Sequence, residues 1–447
     1  MRSPEFAVLL AKEWHELLAS RAYWILLFVI GPLVGQSFIS AVNLYAEVSG
    51  AGGGPAALSS GLTSLDGILV PTFGVYDLAV TLLFPFVAIR LVSQEKETGA
   101  LKLVLQFPAS LGTTLAAKGL ILLLGWFIAW LPGLVAIGLW HLYGGHLYAP
   151  EVLNLLFGHL LRLLLSCGIA VAAAALTESA ASAAIVTLAF TLGTWALEFV
   201  ATGQGGLLQQ IAAYTPTAAL RSFEQGLFRL NTTVVTLAIT VTGFTVAAIW
   251  LHTGRSLQAR VLGMGVTVFT AAVIVTAAAW LRPSWDFSEN RRNSFPAADE
   301  ATLAQFREPL NVTVYLAAED PRLVDLERNI LSKLSRTVPR LQVAYAVGSR
   351  TGLFERADDH YGEVWYALGD RKTMTHSATE PIVLELLYQL ANVAPPVQRE
   401  EKSFTGYPLA AYPTGAALIY YLLWPMTLAL FWGLRRRRAT IFFGRKP

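Results

Sequence analysis

Charged residues are scarce in this chain. Only 14% of its 447 residues are Asp, Glu, Lys or Arg, whereas 54% are hydrophobic, and the mean hydropathy is +0.51. A soluble protein carries about 25% charged residues, so this deficit excludes an all-cytosolic enzyme. The 36 Gly and 21 Pro follow no fixed period, and apolar residues are abundant, which excludes a collagen-like or disordered chain.

Cysteine is nearly absent as well. Cys167 is the single cysteine, so the chain can form neither an intramolecular disulfide nor a cysteine-based metal site. The sequence also lacks the G-x-x-x-x-G-K-[ST] segment, whose backbone and lysine hold nucleotide phosphates. Any ATP that this protein uses must therefore be hydrolysed by another chain. The net charge of +3 is small, and we expect no nucleic-acid partner.

Long apolar runs dominate what is present. A helix crosses the roughly 30 Å hydrocarbon core with about 20 apolar residues. Eight runs satisfy this requirement: Tyr23 to Tyr45, Ile68 to Leu91, Gly119 to His141, Val152 to Leu176, Ala180 to Ala201, Val234 to His252, Val261 to Leu281 and Ala416 to Leu434. The sequence therefore predicts a polytopic α-helical membrane protein.

The stretch before the first run, residues 1–22, has apolar residues at helical spacing. We predict a cytoplasmic helix lying in the membrane interface, with Lys12, Glu13 and Glu16 on its polar face. A plain cytoplasmic lead-in is the alternative.

The distribution of basic residues predicts the orientation. If the spans alternate, one side receives Arg2, Lys12, Arg21, Lys96, Lys102, Lys118, Arg255, Arg260, Arg435 to Arg438, Arg445 and Lys446. The opposite short loops, 46–67 and 142–151, contain no Lys or Arg. The positive-inside rule then places both termini in the cytoplasm. Residues 282–412 consequently fall on the outer side, as an extracytoplasmic domain.

The loop between the second and third spans is the most informative segment. It reads Glu95-Lys96-Glu97-Thr98-Gly99-Ala100-Leu101, followed by Phe107, Pro108 and Lys118. A charged start, a glycine and an amphipathic stretch ending at proline predict a short helix at about 93–110, with Glu95 and Glu97 available to a partner. An ordinary solvated loop accounts for the charges but not for the placement of Gly99 and Pro108.

This segment resembles the Glu-Arg-Glu-x-Gly-Thr-Leu motif of type-2 ABC exporter permeases, with Lys96 for the commoner Arg and Ala100 for the commoner Thr. In that family the loop is the coupling helix that sits in a groove of the ATPase subunit. The resemblance covers about residues 1–252 and implies a six-helix exporter domain at 23–252 that pairs with a second permease half. It assigns the coupling role to Glu95, Lys96, Glu97, Thr98, Gly99, Leu101, Phe107 and Pro108.

The apolar runs and their alternation predict the organisation of the rest of the chain. We expect a seventh transmembrane helix at 253–281, a small periplasmic α/β domain at 282–412, an eighth helix at 413–435 and a basic cytoplasmic tail at 436–447. The segment between spans five and six is similar to the short helices that dip into the outer leaflet in this family. Pro216, Arg221 and Glu224 lie in it, and such a path is tolerated only where protein surrounds it.

Four ionisable residues fall inside apolar runs: Asp77, His159, Arg162 and Glu198. A charge at bilayer depth is costly and normally faces protein or a water-filled path. Asp77 and Arg162 lie at similar depth, which permits a neutralising pair. We expect His159 and Glu198 nearer the outer interface, within reach of water. Two interpretations of such a pair are left open: it only fixes the register of the two helices, or it takes part in substrate passage.

The outer region changes composition and predicts alternating elements. Helices are expected at 298–308, 323–338 and 380–392, and strands at 311–317, 341–347 and 363–368. The start of this domain resembles gliding-motility-type permease components, on Asp286, Ser288, Asn290, Arg291 and Ser294, then Val312 to Leu316. The larger second portion of that family is missing here, so its functions are not transferred.

A metal site in the outer domain has weak support. Asp358, Asp359 and His360 are adjacent, but consecutive side chains point in different directions, and His376 is the only further candidate. We interpret these residues as a solvated loop and expect neither a catalytic nor a metal site.

The sequence thus predicts the permease subunit of a bacterial exporter in the inner membrane. A separate ATPase, which holds ATP and Mg²⁺, would drive outward movement of a lipid-like or amphiphilic substrate. The alternative is a non-transporting complex that transmits ATP-driven motion to a periplasmic protein in motility or envelope assembly. An ion-coupled carrier is a third, weaker reading. Expected partners are the ATPase, a second copy or homologue of the permease, a periplasmic protein and membrane lipid.

Overall fold

The computed structural model describes residues 3–51, 61–99, 111–201, 207–252, 254–317, 320–346, 360–396, 404 and 406–443. The chain is mostly helical. Within these ranges, eight helical stretches are long and apolar enough to cross a membrane, as predicted: Arg21–Ser49, Leu65–Glu97, Leu111–Leu142, Ala149–Leu176, Ala180–Ala201, Leu230–Leu251, Leu257–Ala278 and Ala416–Arg435. The protein is therefore a polytopic helical membrane protein with small sheets.

The helices are numbered in chain order. They are α1 Ser3–Ala19, α2 Arg21–Ala46, α3 Val70–Leu82, α4 Phe84–Glu97, α5 Leu111–Ala129, α6 Leu131–Leu142, α7 Ala149–Leu176, α8 Ala180–Ala201, α9 Leu207–Ala212, α10 Pro216–Glu224, α11 Leu230–Leu251, α12 Leu257–Ala278, α13 Ala297–Leu303, α14 Pro321–Leu326, α15 Ser332–Thr337, α16 Glu380–Ala391, α17 Ala416–Leu418 and α18 Trp424–Phe443. Wide π-helical turns follow α2 and α14, precede α3 and join α17 to α18.

Two of the membrane-spanning stretches are divided by proline. Pro85 is the second residue of α4, which follows the break from α3 at Leu83, and Pro132 is the second residue of α6, which follows the break from α5 at Trp130. Proline lacks an N–H donor and its ring clashes with the preceding turn, so it starts a new helical segment. Both divisions lie inside spans that hydropathy alone treats as single helices.

The chain divides into two compact units. The first comprises 1–192, 233–280 and 404–447, and the second comprises 193–232 and 281–403. In the first unit, α2 packs closely against the last span at two glycines four residues apart. A Cβ at Gly31 would overlap the Trp424 indole, and one at Gly35 would overlap the Tyr420 ring. Small residues permit this close approach between helices in a membrane.

A second close crossing joins α7 and α11. A Cβ at Gly168 would lie 2.8 Å from the Thr240 carbonyl oxygen, and one at Gly243 would overlap the Gly168 backbone. In contrast, only Ala278 of α12 is buried, so this helix presents nearly all of its apolar surface outward.

The second unit contains two sheets. Strands β1 Leu227–Arg229 and β2 Ser284–Asp286 pair antiparallel. A four-stranded sheet has the order β4-β3-β5-β6, formed by β3 Leu310–Val314, β4 Leu341–Tyr345, β5 Val364–Leu368 and β6 Arg371–Thr375. Strand β3 is parallel to β4 and antiparallel to β5. The predicted alternation of helices and strands is confirmed, and β1, β2 and β6 are additions to it.

A buried core holds this α/β domain together. The side chains of Val312, Val314, Ile330 and Leu387 are at most 1% exposed, which places the sheet against the turn that follows α14 and against α16. Ahead of the sheet, the Asp286 carboxylate accepts hydrogen bonds from the Ser288 amide at 3.0 Å and the Ser294 hydroxyl at 2.9 Å. The Asp-x-Ser segment therefore forms a turn closed by its own side chains.

Candidate functional site

The described part of the predicted coupling segment ends α4. Residues 93–97 continue the helix of the second span, so a separate helix does not begin at 93, contrary to our expectation. Gly99 has a positive φ of 73°, and its amide bonds the Lys96 carbonyl at 3.2 Å. Glycine commonly ends helices in this left-handed conformation. Leu101, Phe107 and Pro108 lie outside the described residues.

Glu95 is buried rather than available to a partner, so that part of the prediction is wrong. Its side chain is 4% exposed and pairs with Lys118 at 3.1 Å. It also accepts a hydrogen bond from Lys12 of α1. The carboxylate at the end of α4 thus connects this helix to α1 and α5.

Lys118 lies at the centre of this cluster. Its ammonium group contacts both carboxylate oxygens of Glu13, at 2.9 and 2.8 Å, and donates to the Leu91 carbonyl at 2.9 Å. The side chains of Lys118 and Glu13 are 2% and 0% exposed. We call Lys12, Glu13, Glu16, Glu95 and Lys118 the buried ion cluster.

The buried ion cluster corrects the expected amphipathic arrangement of α1. We placed Lys12, Glu13 and Glu16 on a polar outer face, but Glu13 points inward and Lys12 bridges Glu13 at 3.0 Å and Glu16 at 3.2 Å. The sequence signal was Lys118, which directly precedes the third predicted apolar run. The structure places it inside the stretch Leu111–Leu142, where a charge requires a buried counter-charge.

Electrostatics within the cluster follow from its burial. Burial alone would lower the pKa of Lys12, but its hydrogen bond to Glu95 and the charge of Glu13 raise that pKa above its ordinary value. Burial, together with the Glu13 charge, raises the pKa of Glu16. Carboxylate oxygens of Glu13, Glu16 and Glu95 lie within 4.8 Å of one another. The ammonium groups of Lys12 and Lys118 lie among these three carboxylates and pair with them, so we interpret the cluster as an ion-pair network rather than a cation site.

Lys96 contacts a different helix end. Its ammonium group donates to the carbonyls of Ala174 at 3.1 Å, Ala175 at 2.8 Å and Thr177 at 2.6 Å, at the C-terminus of α7. The last carbonyls of a helix have no partner within the helix, and they carry partial negative charge. Lys96 therefore caps α7.

Glu97 approaches the start of the next helix. Its Oε1 accepts from the Ala180 amide of α8 at 3.4 Å, where the helix dipole favours negative charge. Three consecutive residues at the end of α4 thus contact four other helices. Glu95 contacts the middle of α1 and of α5, Lys96 contacts the C-terminus of α7, and Glu97 contacts the start of α8. We call these three residues and their contacts the helix-end junction.

Asp77 and Arg162 form the ion pair that their similar position along the second and fourth spans permitted. Arg162 Nε donates to Asp77 Oδ1 at 2.7 Å, and Nη2 donates to the Thr81 hydroxyl at 2.9 Å. The Arg162 side chain is 4% exposed and that of Asp77 is 27% exposed. Within the described residues, Nη1 of Arg162 has no hydrogen-bond partner.

His159 is buried inside the protein rather than within reach of water, contrary to our expectation, and its depth in the membrane stays a prediction. Its side chain is 1% exposed and lies against Phe73, with ring centroids 5.5 Å apart. Within the part of the chain that the structure describes, Nε2 has no hydrogen-bond partner. His159 is one turn from Arg162 on α7, so the two share a polar strip facing α3.

Glu198 is held by the segment predicted to be re-entrant. It pairs with Arg221 at 2.8 Å and lies 3.4 Å from the Thr215 hydroxyl. Thr215 caps α10, which begins at Pro216 and ends at Glu224. The segment is helical in two short pieces, and its depth in the membrane stays a prediction.

The candidate metal residues of the outer domain make ordinary loop contacts. His360 Nδ1 lies 2.9 Å from Glu363 Oε2, and His376 Nδ1 lies 3.1 Å from the Gly362 carbonyl. Asp358 and Asp359 lie outside the described residues.

Comparison with known proteins adds no assignment. No family model, curated protein or solved structure matches this chain. The functional interpretation consequently depends on the residues and geometry given above.

Proposed function

We propose that this chain is the membrane-spanning permease subunit of a type-2 ABC exporter, driven by an ATPase on a separate polypeptide. The observation that carries the proposal is the helix-end junction. The charged motif by which the sequence resembles exporter permeases lies where α1, α4, α5, α7 and α8 meet. A force applied to the adjoining segment 100–110 would reach all five helices.

Buried ion pairs make this connection stiff. Removing one partner of such a pair costs about 3–5 kcal/mol, because a charge is left buried and uncompensated. Lys118 is bound to Glu13, Glu95 and the Leu91 carbonyl at 2.8 to 3.1 Å. Relative displacement of these helix ends would break the pairs, so α1, α4 and α5 would move together. The ATPase would thereby shift several spans as a rigid group.

The substrate path belongs to the same proposal. Two copies of the chain would enclose it, as symmetric assemblies commonly do. The Asp77–Arg162 pair leaves no net charge at that depth, which suits a lipid-like or amphiphilic cargo better than an ion. ATP and Mg²⁺ would bind the ATPase alone, and this chain would have no catalytic residues.

A second function is favoured by the α/β unit. Residues 281–403 contribute a domain with its own core, and such a domain suits a periplasmic protein partner. In that case the complex would transmit ATP-driven motion without moving a cargo.

The first test is purification of the tagged full chain from its native membrane in mild detergent, followed by mass spectrometry. A near-stoichiometric partner carrying a Walker A lysine is expected. Recovery of the chain alone, under conditions that preserve other membrane complexes, would argue against both ABC functions. ATPase activity stimulated by an amphiphilic cargo would favour export, whereas a protein bound to residues 282–412 without such stimulation would favour transmission of motion.

A variant pair tests the coupling segment. Glu97→Arg reverses an exposed charge and should uncouple ATPase activity from transport without unfolding the chain. Glu97→Gln keeps an acceptor for the Ala180 amide and is the matched control, with most activity retained. Unchanged transport in Glu97→Arg would contradict the docking role.

A further inference from the structure

Two grooves of nearly equal volume lie on the first unit, and they differ in charge. The first, of about 590 Å³, runs between α1 and α5 and is apolar throughout, lined by Leu10, Ala11, Trp14, Ile121, Phe127 and neighbouring apolar residues. The second, of about 600 Å³, is bounded by the end of α1, the start of α2 and the middle of α18. It adds two arginines, Arg21 and Arg435, to an apolar wall.

The walls of the second groove suit a hydrocarbon chain. They are formed by Leu18, Trp24, Ile25, Phe28 and Trp432. Trp24 is fixed by a hydrogen bond from its indole to the Leu18 carbonyl at 2.8 Å, and its ring lies 6.1 Å from that of Phe431. Tryptophan at a membrane interface combines an apolar ring with a polar N–H, which places it at headgroup level.

The arginines supply the complementary charge. Arg21 is exposed and makes no ion pair within the described residues. Arg435 donates one hydrogen bond, to the His15 carbonyl at 3.1 Å, and guanidinium carries five donors. No carboxylate lies among the residues that line the groove, so its charge is positive.

We propose that the groove between α2 and α18 binds an anionic phospholipid, with its phosphate on Arg21 and Arg435 and one acyl chain along Trp24, Ile25 and Trp432. Guanidinium groups bind phosphate through paired, charge-assisted hydrogen bonds. Basic pockets between membrane helices on the cytoplasmic side recognise such headgroups. The site depends on membrane insertion only and is independent of the exporter function.

Brominated phospholipids test the site, since a brominated acyl chain quenches tryptophan fluorescence on contact. The full chain is reconstituted with brominated phosphatidylglycerol or brominated phosphatidylcholine, and the contribution of Trp432 is obtained by difference from Trp432→Phe. We expect this contribution to be quenched at an anionic-lipid fraction on the order of tenfold lower than for the zwitterionic lipid. The contribution of Trp14, from Trp14→Phe, should show no headgroup preference.

Charge variants decide the outcome. Arg21→Gln/Arg435→Gln should abolish the preference at Trp432, and Arg21→Gln alone, at an exposed position, should reduce it. Arg255→Gln/Arg260→Gln makes the same change in net charge elsewhere on the predicted cytoplasmic side and should leave it intact. Equal quenching by both lipids, a preference that survives Arg21→Gln/Arg435→Gln, or equal loss in the control variant would overturn the proposal.

Discussion

Individual buried charges in this chain differ in how they can be relieved. A carboxylate can take up a proton when its partner is lost, whereas arginine stays charged at every accessible pH. Lysine is intermediate between these two in how readily it loses its charge. The consequences of losing a partner therefore depend on which group remains, and this asymmetry separates the buried ion cluster from the Asp77–Arg162 pair.

Removal of Lys118 should be the most damaging single change to the buried ion cluster. Lys118→Met leaves Glu13, whose side chain is 0% exposed, with Lys12 as its only cationic partner among the described residues. We expect a loss of about 3–5 kcal/mol in the free energy of unfolding. Thermal unfolding of the purified chain measures it.

Two further variants control that experiment. Arg255→Gln removes a positive charge at an exposed position and should change stability by less than about 0.5 kcal/mol. Glu13→Gln combined with Lys118→Met removes both charges and should recover part of the loss. A Lys118→Met variant as stable as Arg255→Gln would show that the cluster contributes no stability.

The Asp77–Arg162 pair should respond unequally to its two neutral variants. Asp77→Asn leaves the guanidinium of Arg162, which is 4% exposed, buried and charged. Arg162→Met leaves Asp77, which can neutralise itself by protonation. Asp77→Asn should therefore lower the melting temperature more than Arg162→Met. The reverse order would mean that Arg162 gains another partner or water in Asp77→Asn, whereas Asp77 stays charged and buried in Arg162→Met.

Asp320 in the α/β unit supplies a pH-dependent contribution. Its hydrogen bonds from Arg322, with Tyr361 also donating, lower the pKa of this carboxylate below its usual value. The stabilisation is therefore present above the unfolded pKa of about 3.9 and is lost as pH falls through the folded pKa. Arg322 is 53% exposed, so solvent screening limits it to less than about 1 kcal/mol.

Asp320→Asn isolates this charge, because asparagine caps helices as well as aspartate does. Hydrogen exchange of α14 should be faster in the variant at about pH 6, and the difference should narrow toward about pH 3. A difference that does not change with pH would assign the effect to capping instead.

At the scale of elements, the residues of the helix-end junction connect the end of α4 to four other helices, and Lys96 contacts the C-terminus of α7. Lys96→Met removes the cap from the last carbonyls of α7. A cation at a helix C-terminus contributes about 0.3–1 kcal/mol, so amide exchange at 173–177 should rise about two- to fivefold. Lys96→Arg keeps the charge and is the control. Unchanged exchange in Lys96→Met would show that α7 ends without this cap.

The elements that the sequence predicted are those with a local signal. The eight spans follow from apolar runs of sufficient length, although Leu65–Glu97 continues beyond the predicted end because helices extend past the hydrocarbon core. Strand β6, Arg371–Thr375, escaped prediction because its residues lack apolar alternation. It is ordered by pairing with β5, and pairing is a tertiary property.

The contacts of the candidate site likewise include some that the sequence predicted and some that it did not. Sequence alone identified Glu95, Lys96 and Glu97 as a unit, and equal depth suggested Asp77 with Arg162. The contact of Lys118 with Glu13 spans 105 positions in the chain and depends on how α1 packs against α5. An exposed face and a buried face of α1 give the same helical spacing, so the sequence did not predict the inward direction of Glu13.

At the scale of the whole molecule, the division into two units and the distribution of basic residues together predict which parts of the chain lie on each side of the membrane. The unit that contains the four-stranded sheet should face outward, and the short loop before α12 should face the cytoplasm. Opposite placement would remove segment 100–110 from any cytoplasmic ATPase. The orientation is therefore the global property on which the exporter proposal depends most.

Single-cysteine labelling tests the orientation, because the one native cysteine, Cys167, is buried and should stay unlabelled in the wild-type control. Arg371→Cys places a thiol on an exposed position of β6, and Arg255→Cys places one on the exposed loop before α12. In sealed right-side-out vesicles, a membrane-impermeant maleimide should label Arg371→Cys at once and Arg255→Cys only after detergent is added. Labelling in the opposite order would invert the topology and exclude coupling of segment 100–110 to a cytoplasmic ATPase.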